Sequence, residues 1–168
     1  MTHGHAHLVL VGLALVAAGC RDPYSQPDQR EPTRKATAAP ELRTPSAAER
    51  AARAFATRWI NWDWRTAGAQ QRALARLASG ELAADLMANA RSARIDASLE
   101  RDKPSSRGTV VGIDLTGAGA ARSGVVATRE QTYTTGRPDL GGRHYRVYRI
   151  SLRSRTADWE VNAWHRLP

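Results

Sequence analysis

Residues 145–154 read YRVYRISLRS, and residues 159–165 read WEVNAWH. Only a short connection, which includes Thr156-Ala157-Asp158, lies between the two stretches. In the first stretch apolar side chains alternate with arginine and serine. This period-two pattern is typical of a strand with one buried and one solvated face. The connection is too short for a parallel crossover, so we expect the two stretches to form an antiparallel hairpin.

Two further strands are predicted upstream, over Thr109–Leu115 and Val125–Thr134. A glycine-containing loop over 117–124 and a turn over 137–142 separate the strands. Strict alternation places particular apolar side chains together on one side of each strand. These sets are Val111, Ile113 and Leu115; Tyr148, Ile150 and Leu152; and Trp159, Val161 and Ala163.

Helices are predicted before the sheet. Ser46 and Glu49 have the spacing of a capping box directly after Pro45. Apolar residues then recur at three- and four-residue steps up to about Trp62, as expected for an amphipathic helix. These residues are Ala48, Ala52, Phe55, Ala56, Trp59 and Ile60.

A second helical region is predicted over about 66–96, followed by a loop over 102–106. Because a mid-helix glycine costs about 1 kcal/mol relative to alanine, Gly80 favours two shorter helices over one. The apolar stripe of this region comprises Leu74, Leu77, Ala78, Leu82, Leu86, Ala90 and Ile95.

Helices followed by an antiparallel sheet of about four strands predict an α+β fold for residues 46–168, with the first helix in the concave face of a curved sheet. This order and the placement of aromatic residues resemble the cystatin-like cone of the nuclear-transport-factor-like superfamily. That superfamily includes isomerases, dehydratases, ligand carriers and interaction modules, so the fold alone does not define an activity.

Within that superfamily, three stretches resemble exported subunits of bacterial conjugation and type IV secretion channels. They are FATRW at 55–59, LARLASGEL at 74–82 and the WEV that begins the last strand. That resemblance implies a non-catalytic module that binds a protein partner in the cell envelope. It supplies no catalytic residues.

The N-terminal residues contain an uncharged apolar stretch, 8–19, which ends in VAAG before Cys20. As a helix this stretch would span only about 18 Å, which suits a signal peptide and is too short to cross a bilayer. Its end resembles the lipobox of bacterial lipoproteins, in which the cysteine receives a diacylglycerol and becomes the new N-terminus. The resemblance implies a signal peptide over 1–19 and an extracytoplasmic protein, lipid-anchored to the cell membrane through Cys20. Plain secretion and no export are the alternatives.

Residues 20–45 hold five of the eight prolines and few apolar side chains. Such a composition cannot bury enough surface to offset the entropy of ordering, so we expect a disordered tether. Cys20 is the only cysteine of the chain, which excludes an internal disulfide and a cysteine-based zinc site.

The cone interior is the candidate site. The residues that could line a pocket or an interface are Trp59, Trp62, Trp64, Tyr148, Trp164 and His165. Strand phase places His165 on the side of Trp159 and Val161, and Trp164 on the opposite side. One of the two tryptophans is therefore expected to be exposed. Closure of the core by the tryptophans is the alternative.

Acid–base chemistry would need a titratable group inside the cone. The candidates are Asp63, Asp114, Tyr133, His144, Tyr148 and His165. No pair of them has a spacing that indicates catalysis, and the sequence contains no nucleophile elbow, phosphate-binding loop or metal-ligand cluster. We therefore predict no catalytic residue, no cofactor and no metal. A small-ligand binder or an isomerase-type enzyme that uses the cone interior remains the alternative function.

The chain is basic, with 25 lysines and arginines against 16 acidic residues and a net charge of +9. Part of this charge is concentrated in residues 143–155, where alternation places Arg143, Arg149, Arg153 and Arg155 on one side. For a tethered exported domain, anionic lipid or a cell-wall polymer is the expected partner of such a surface. Exported domains rarely meet free nucleic acid, and a solvated face without a partner is the alternative.

Overall fold

The computed structural model describes residues 43–135, 142–156 and 158–168. The predicted signal peptide, Cys20 and nearly all of the predicted tether lie outside these residues, as does most of the predicted turn over 137–142. No helix among the described residues is both long enough and apolar enough to cross a membrane.

The fold is α+β, as predicted: helices precede a curled antiparallel sheet. The helices are α1 (Ala47–Ile60), α2 (Ala67–Ala75), α3 (Gly80–Ser92) and α4 (Ala97–Asp102). The strands are β1 (Trp62–Asp63), β2 (Ser105–Thr116), β3 (Ala121–Tyr133), β4 (Arg143–Arg155) and β5 (Asp158–Arg166). Each strand pairs with the next along the chain, in the order β1-β2-β3-β4-β5.

The capping box of α1 is present. Ser46 Oγ accepts the Glu49 backbone N–H at 3.2 Å, and the Glu49 carboxylate accepts the Ser46 N–H at 2.7 Å. The helix buries its apolar face and contacts β2, β3, β4 and β5, so it lies across the concave side of the sheet. Phe55 and Ile60 are among its fully buried side chains.

Helix boundaries differ from the prediction at the end of α1 and after α3, and agree with it at Gly80. Helix α1 ends at Ile60, because Asn61 turns the chain and its side chain pairs with the backbone of Gly108. Helix α4 and the short strand β1 were not predicted. The predicted break is found at Gly80, which begins α3 with a φ of +61°. Ile95 does not continue the apolar stripe, since it follows α3 and is 87% exposed.

Each predicted strand is present and longer than expected, but two β-bulges change which side chains share a face. Val111 is the extra residue where Val110 pairs with Thr128 and Gly112 with Ala127. A bulge reverses the alternation at that point. The prediction that Val111 shares a side with Ile113 and Leu115 is therefore wrong: Val111 is exposed, while Ile113 and Leu115 pack against the core.

The second bulge is at Asn162, since Leu152 pairs with Val161 while Ser151 pairs with Ala163. Trp164 is consequently buried with Val161, and Trp159 also packs against the core. The expectation that one of these tryptophans is exposed is wrong, and so is the inward orientation predicted for His165, which is exposed. Ala163, for the same reason, does not share the face of Val161.

Candidate functional site

A cavity of about 560 Å³ lies between the concave side of the sheet and helices α2, α3 and α4. Its walls come from the ends of α1 and α2, from α3 and α4, and from the inward side chains of β2, β3 and β4. Asn89, Ser92 and Asp96 line it and are exposed, so the cavity opens to solvent beside α3. Its volume is in the range of pockets for small organic molecules.

Aromatic side chains form one wall of the cavity. Trp59, Trp62 and Tyr148 line it directly. Behind them, Trp164 stacks on Tyr148 with ring centroids 4.5 Å apart and an interplanar angle of 15°. Trp164 also contacts Phe55 and Trp59, with ring centroids 5.2 Å and 5.9 Å apart. These ring contacts hold the aromatic wall in place.

The polar part of the wall is a network centred on Glu130, which is only 4% exposed. Glu130 Oε1 accepts hydrogen bonds from Thr128 Oγ1 at 2.6 Å and from the Tyr148 hydroxyl at 2.9 Å. Glu130 Oε2 lies 3.3 Å from an Arg146 guanidinium nitrogen. The buried carboxylate thus has a partner on each oxygen, as a buried charge requires.

Burial raises the pKa of the Tyr148 phenol above its ordinary value, and the neighbouring Glu130 carboxylate raises it further. The phenol therefore stays protonated at neutral pH and acts as a donor to Glu130. Glu130 thus accepts hydrogen bonds from Thr128 and Tyr148 and forms an ion pair with Arg146.

One group on the wall retains capacity for a ligand. Arg146 carries five N–H donors, and only part of this capacity is used by Glu130. Arg146 lines the cavity, so an acceptor could bind beside it. The Oε1 atom of Gln71 has no hydrogen-bond partner among the described residues, but it is fully buried, so a ligand in the open cavity does not reach it.

The structure brings together only part of the predicted pocket. Trp59, Trp62 and Tyr148 line the cavity, and Trp164 supports it from behind. Trp64 does not line it, and its ring is covered by Arg65 at 4.7 Å and by Lys103 at 6.0 Å. His165 is exposed and outside the cavity.

Of the acid–base candidates, only Tyr148 lies in the cavity. The Asp63 carboxylate accepts the backbone N–H groups of Arg65 at 2.9 Å and Thr66 at 3.2 Å, so it caps a turn. The other three candidates, Asp114, Tyr133 and His144, are exposed. Within the described ranges no three His, Cys, Asp or Glu side chains are placed to hold a metal ion.

Sequence reasoning missed Glu130 and Arg146, the two charged residues that the sheet contributes to the cavity. Counting in twos from the buried Val126 would have placed Thr128 and Glu130 on the inward side of β3. The same count from Tyr148 would have placed Arg146 inward on β4. The signal was present, because two opposite charges on the buried side of adjacent strands favour an ion pair.

The predicted arginine set lies on the opposite side of the sheet. Arg143, Arg149, Arg153 and Arg155 are all exposed on β4, and none of them lines the cavity. Comparison with known proteins gives no further guide to the site: no family model matches the chain, and no curated protein or solved structure is significantly similar to it.

Proposed function

We propose that this domain binds a small molecule in the cavity beside Glu130 and Tyr148. The observation that carries the proposal is a cavity of about 560 Å³ that combines an aromatic wall with a buried, fully partnered polar network. Pockets of this size that combine apolar and aromatic walls with a few polar groups are typical of small-molecule sites.

The wall defines the class of ligand. Trp59, Trp62 and Tyr148 favour a flat and largely apolar body. Arg146 favours a polar head that carries an acceptor, such as a carbonyl or carboxylate. The charges of Glu130 and Arg146 offset each other, so the wall does not require a strongly charged ligand.

Binding is better supported than catalysis. A general base needs a free lone pair directed at the substrate. Three of the four acceptor sites of the Glu130 carboxylate are engaged, and Tyr148 donates its proton to Glu130. An isomerase-type reaction would have to break this network first.

The binding test uses 8-anilinonaphthalene-1-sulfonate, a flat aromatic probe with an anionic head, titrated by fluorescence. Ser92→Trp narrows the opening and Arg146→Gln removes the guanidinium. We expect each to weaken binding by about tenfold or more, which corresponds to about 1.4 kcal/mol. Ala84→Trp, on exposed α3 surface away from the cavity, is the matched control and should bind as the unmodified chain does. Equal binding by all four proteins, each with an intact thermal transition, would refute the proposal.

We also propose that the domain is exported and lipid-anchored through Cys20. The apolar stretch 8–19 and the VAAG sequence before Cys20 support this. Metabolic labelling with radioactive palmitate should mark the wild-type chain in the membrane fraction and should not mark Cys20→Ser. An unlabelled wild-type chain, or a membrane fraction unchanged by Cys20→Ser, contradicts the anchor.

The second candidate is a non-catalytic assembly module of an envelope complex, as in conjugation or secretion channels. The exposed apolar side chains on the outer side of the sheet favour it, because such side chains often mark interaction surfaces. Membership of the nuclear-transport-factor-like superfamily stays a prediction. Crosslinking in the native cell envelope would test for a protein partner, and recovery of the chain without any crosslinked protein would weigh against the module.

A further inference from the structure

The convex side of the sheet, which faces away from the helices, is both basic and apolar. Among the described residues, five of the seven large hydrophobic side chains that are exposed lie on this side: Val111, Val125, Tyr133, Tyr145 and Val147. Arginines stand among them, and we call the following set the outer sheet face: Arg107, Val111, Val125, Arg129, Tyr133, Arg143, Tyr145, Val147 and Arg149.

Strand register places these side chains next to one another. Gln131 on β3 pairs with Arg107 on β2 and with Arg143 on β4, which gives one row across the sheet. In the next row Arg129 pairs with Tyr145, and two rows further Val125 pairs with Arg149. The four arginines therefore surround Tyr145 and Val147 on three adjacent strands.

Among the described residues, no ion pair neutralises the positive charge of this face. Arg107, Arg129, Arg143 and Arg149 make no ion pair with any described residue. The only carboxylate in the same rows is that of Asp114, which is two strands away from Arg149. Arg153 and Arg155 make no ion pair with a described residue either, but they stand in register opposite the acidic residues Glu160 and Asp158 on β5.

We propose that the outer sheet face docks onto an anionic lipid bilayer. The arginines complement lipid phosphates, for which the planar guanidinium is well suited. Tyr145 is 73% exposed and Val147 is 40% exposed at the centre of the face. Tyrosine favours the headgroup level of a bilayer, and valines can enter the apolar boundary beneath it.

An anionic bilayer accounts for both parts of the face, whereas other polyanions account for one. Single-stranded nucleic acid would use the arginines and tyrosines but would leave the three valines without a role, because it binds by stacking and charge. A bilayer uses the valines as well. This docking is independent of the ligand cavity, which opens on the other side of the sheet, and of the anchor at Cys20.

The test is sedimentation of the full chain carrying Cys20→Ser with two kinds of vesicle, phosphatidylcholine alone and an equal mixture with phosphatidylglycerol. Any insertion of the apolar residues 8–19 appears with both, so docking is the excess on the anionic vesicles. Each arginine near an anionic surface contributes about fivefold to partitioning. Replacing Arg107, Arg129, Arg143 and Arg149 by Gln should therefore lower the excess by a factor of roughly several hundred.

Arg153→Gln with Arg155→Gln is the matched control on the same strand, and it should lose much less because these arginines face carboxylates. Tyr145→Ser with Val147→Ser should weaken the binding that persists in high salt. The proposal is overturned if the variant with all four arginines replaced shows the same excess binding to anionic vesicles as the chain that keeps them. The proposal is also overturned if the chain shows no excess binding to anionic vesicles and binds a single-stranded oligonucleotide tightly. That result would favour a nucleic acid as the partner. Failure of the palmitate labelling would leave this result unaffected.

Discussion

The Tyr148 hydroxyl donates a 2.9 Å hydrogen bond to Glu130 Oε1 in the wall of the cavity. The two residues lie on adjacent strands, and the Tyr148 ring stacks on Trp164 on its other side. A single side chain therefore joins the polar network of the cavity to the aromatic core.

Tyr148→Phe should lower the free energy of unfolding by about 1–2 kcal/mol. The ring and its stacking remain, but the charged carboxylate of Glu130 loses one donor. Urea denaturation at pH 7 measures the change. Tyr133→Phe is the control, because that ring is exposed, and it should change stability by less than about 0.5 kcal/mol. A loss as large in Tyr133→Phe would mean that the hydrogen bond to Glu130 is not the cause.

Because of Tyr148, the free energy of unfolding should decrease as the pH becomes alkaline. The pKa of Tyr148 in the folded chain is raised above the value of 10.0 for a free phenol. The unfolded chain therefore releases the proton first. The stabilisation is complete below pH 10 and is lost as the pH rises above it. Urea denaturation from pH 8 to pH 11.5 should show a smaller decrease for Tyr148→Phe than for the unmodified chain, and identical slopes would contradict the assignment.

Acid should weaken the start of α1 through Glu49. The Ser46 backbone N–H, followed by the Arg43 guanidinium, lowers the pKa of Glu49 from 4.5 to about 2. The stabilisation is complete above pH 4.5 and is lost as the pH falls towards 2. Glu49→Gln can still accept from Ser46 but does not titrate, so its stability should fall less between pH 5 and pH 2.

Thermal unfolding followed by circular dichroism measures this difference. Glu81→Gln is the matched control, since it lies in the first turn of α3, where the N-cap side chain makes no capping hydrogen bond. That variant should follow the unmodified chain through the acid range. If Glu81→Gln loses less stability in acid than the unmodified chain and Glu49→Gln does not, the effect does not come from Glu49.

Two glycines of the sheet should respond in opposite ways to an added methyl group. A Cβ at Gly124 would lie 1.9 Å from the Asp114 carbonyl oxygen, whereas one at Gly112 would meet nothing closer than the Ala127 Cβ at 4.0 Å. Gly124→Ala must move the β2 backbone, so we expect a loss of about 1–3 kcal/mol in urea denaturation. Gly112→Ala should be neutral or slightly stabilising. Equal losses for both variants would show that the close approach of β2 and β3 does not limit residue 124.

Features set by residues close together in the sequence could be predicted, and features set by contacts between distant residues could not. The capping box at Ser46 and the alternation in β4 are local patterns, and both are found as predicted. The bulge at Asn162 follows a long-range contact: Val161 donates its N–H to Leu77 O at 3.0 Å and accepts from Ser79 N–H at 2.9 Å. No local pattern in β5 reports a bridge to the α2–α3 connection, so Trp164 and His165 were assigned to the wrong sides.

The cavity shows the same division. Its inward charges, Glu130 and Arg146, follow from alternation along β3 and β4 and could have been found. Its open space could not, because it depends on how far α3 and α4 stand from the sheet. Residue types along the chain do not encode that distance.

Deletion of Asn162 tests the bulge directly. Without this residue Val161 and Ala163 become consecutive, so plain alternation keeps Val161 and Trp164 inward and Ala163 and His165 outward. Trp164 therefore keeps its contacts with Phe55 and Tyr148, and we expect the deletion to cost less than about 2 kcal/mol. Asn162→Ala keeps the bulge and removes an oxygen that has no hydrogen-bond partner among the described residues, so it should cost less than about 1 kcal/mol. Urea denaturation measures both variants, and a loss of about 3–5 kcal/mol in the deletion, as for removal of a core tryptophan, would show that Asn162 is not the extra residue of the strand.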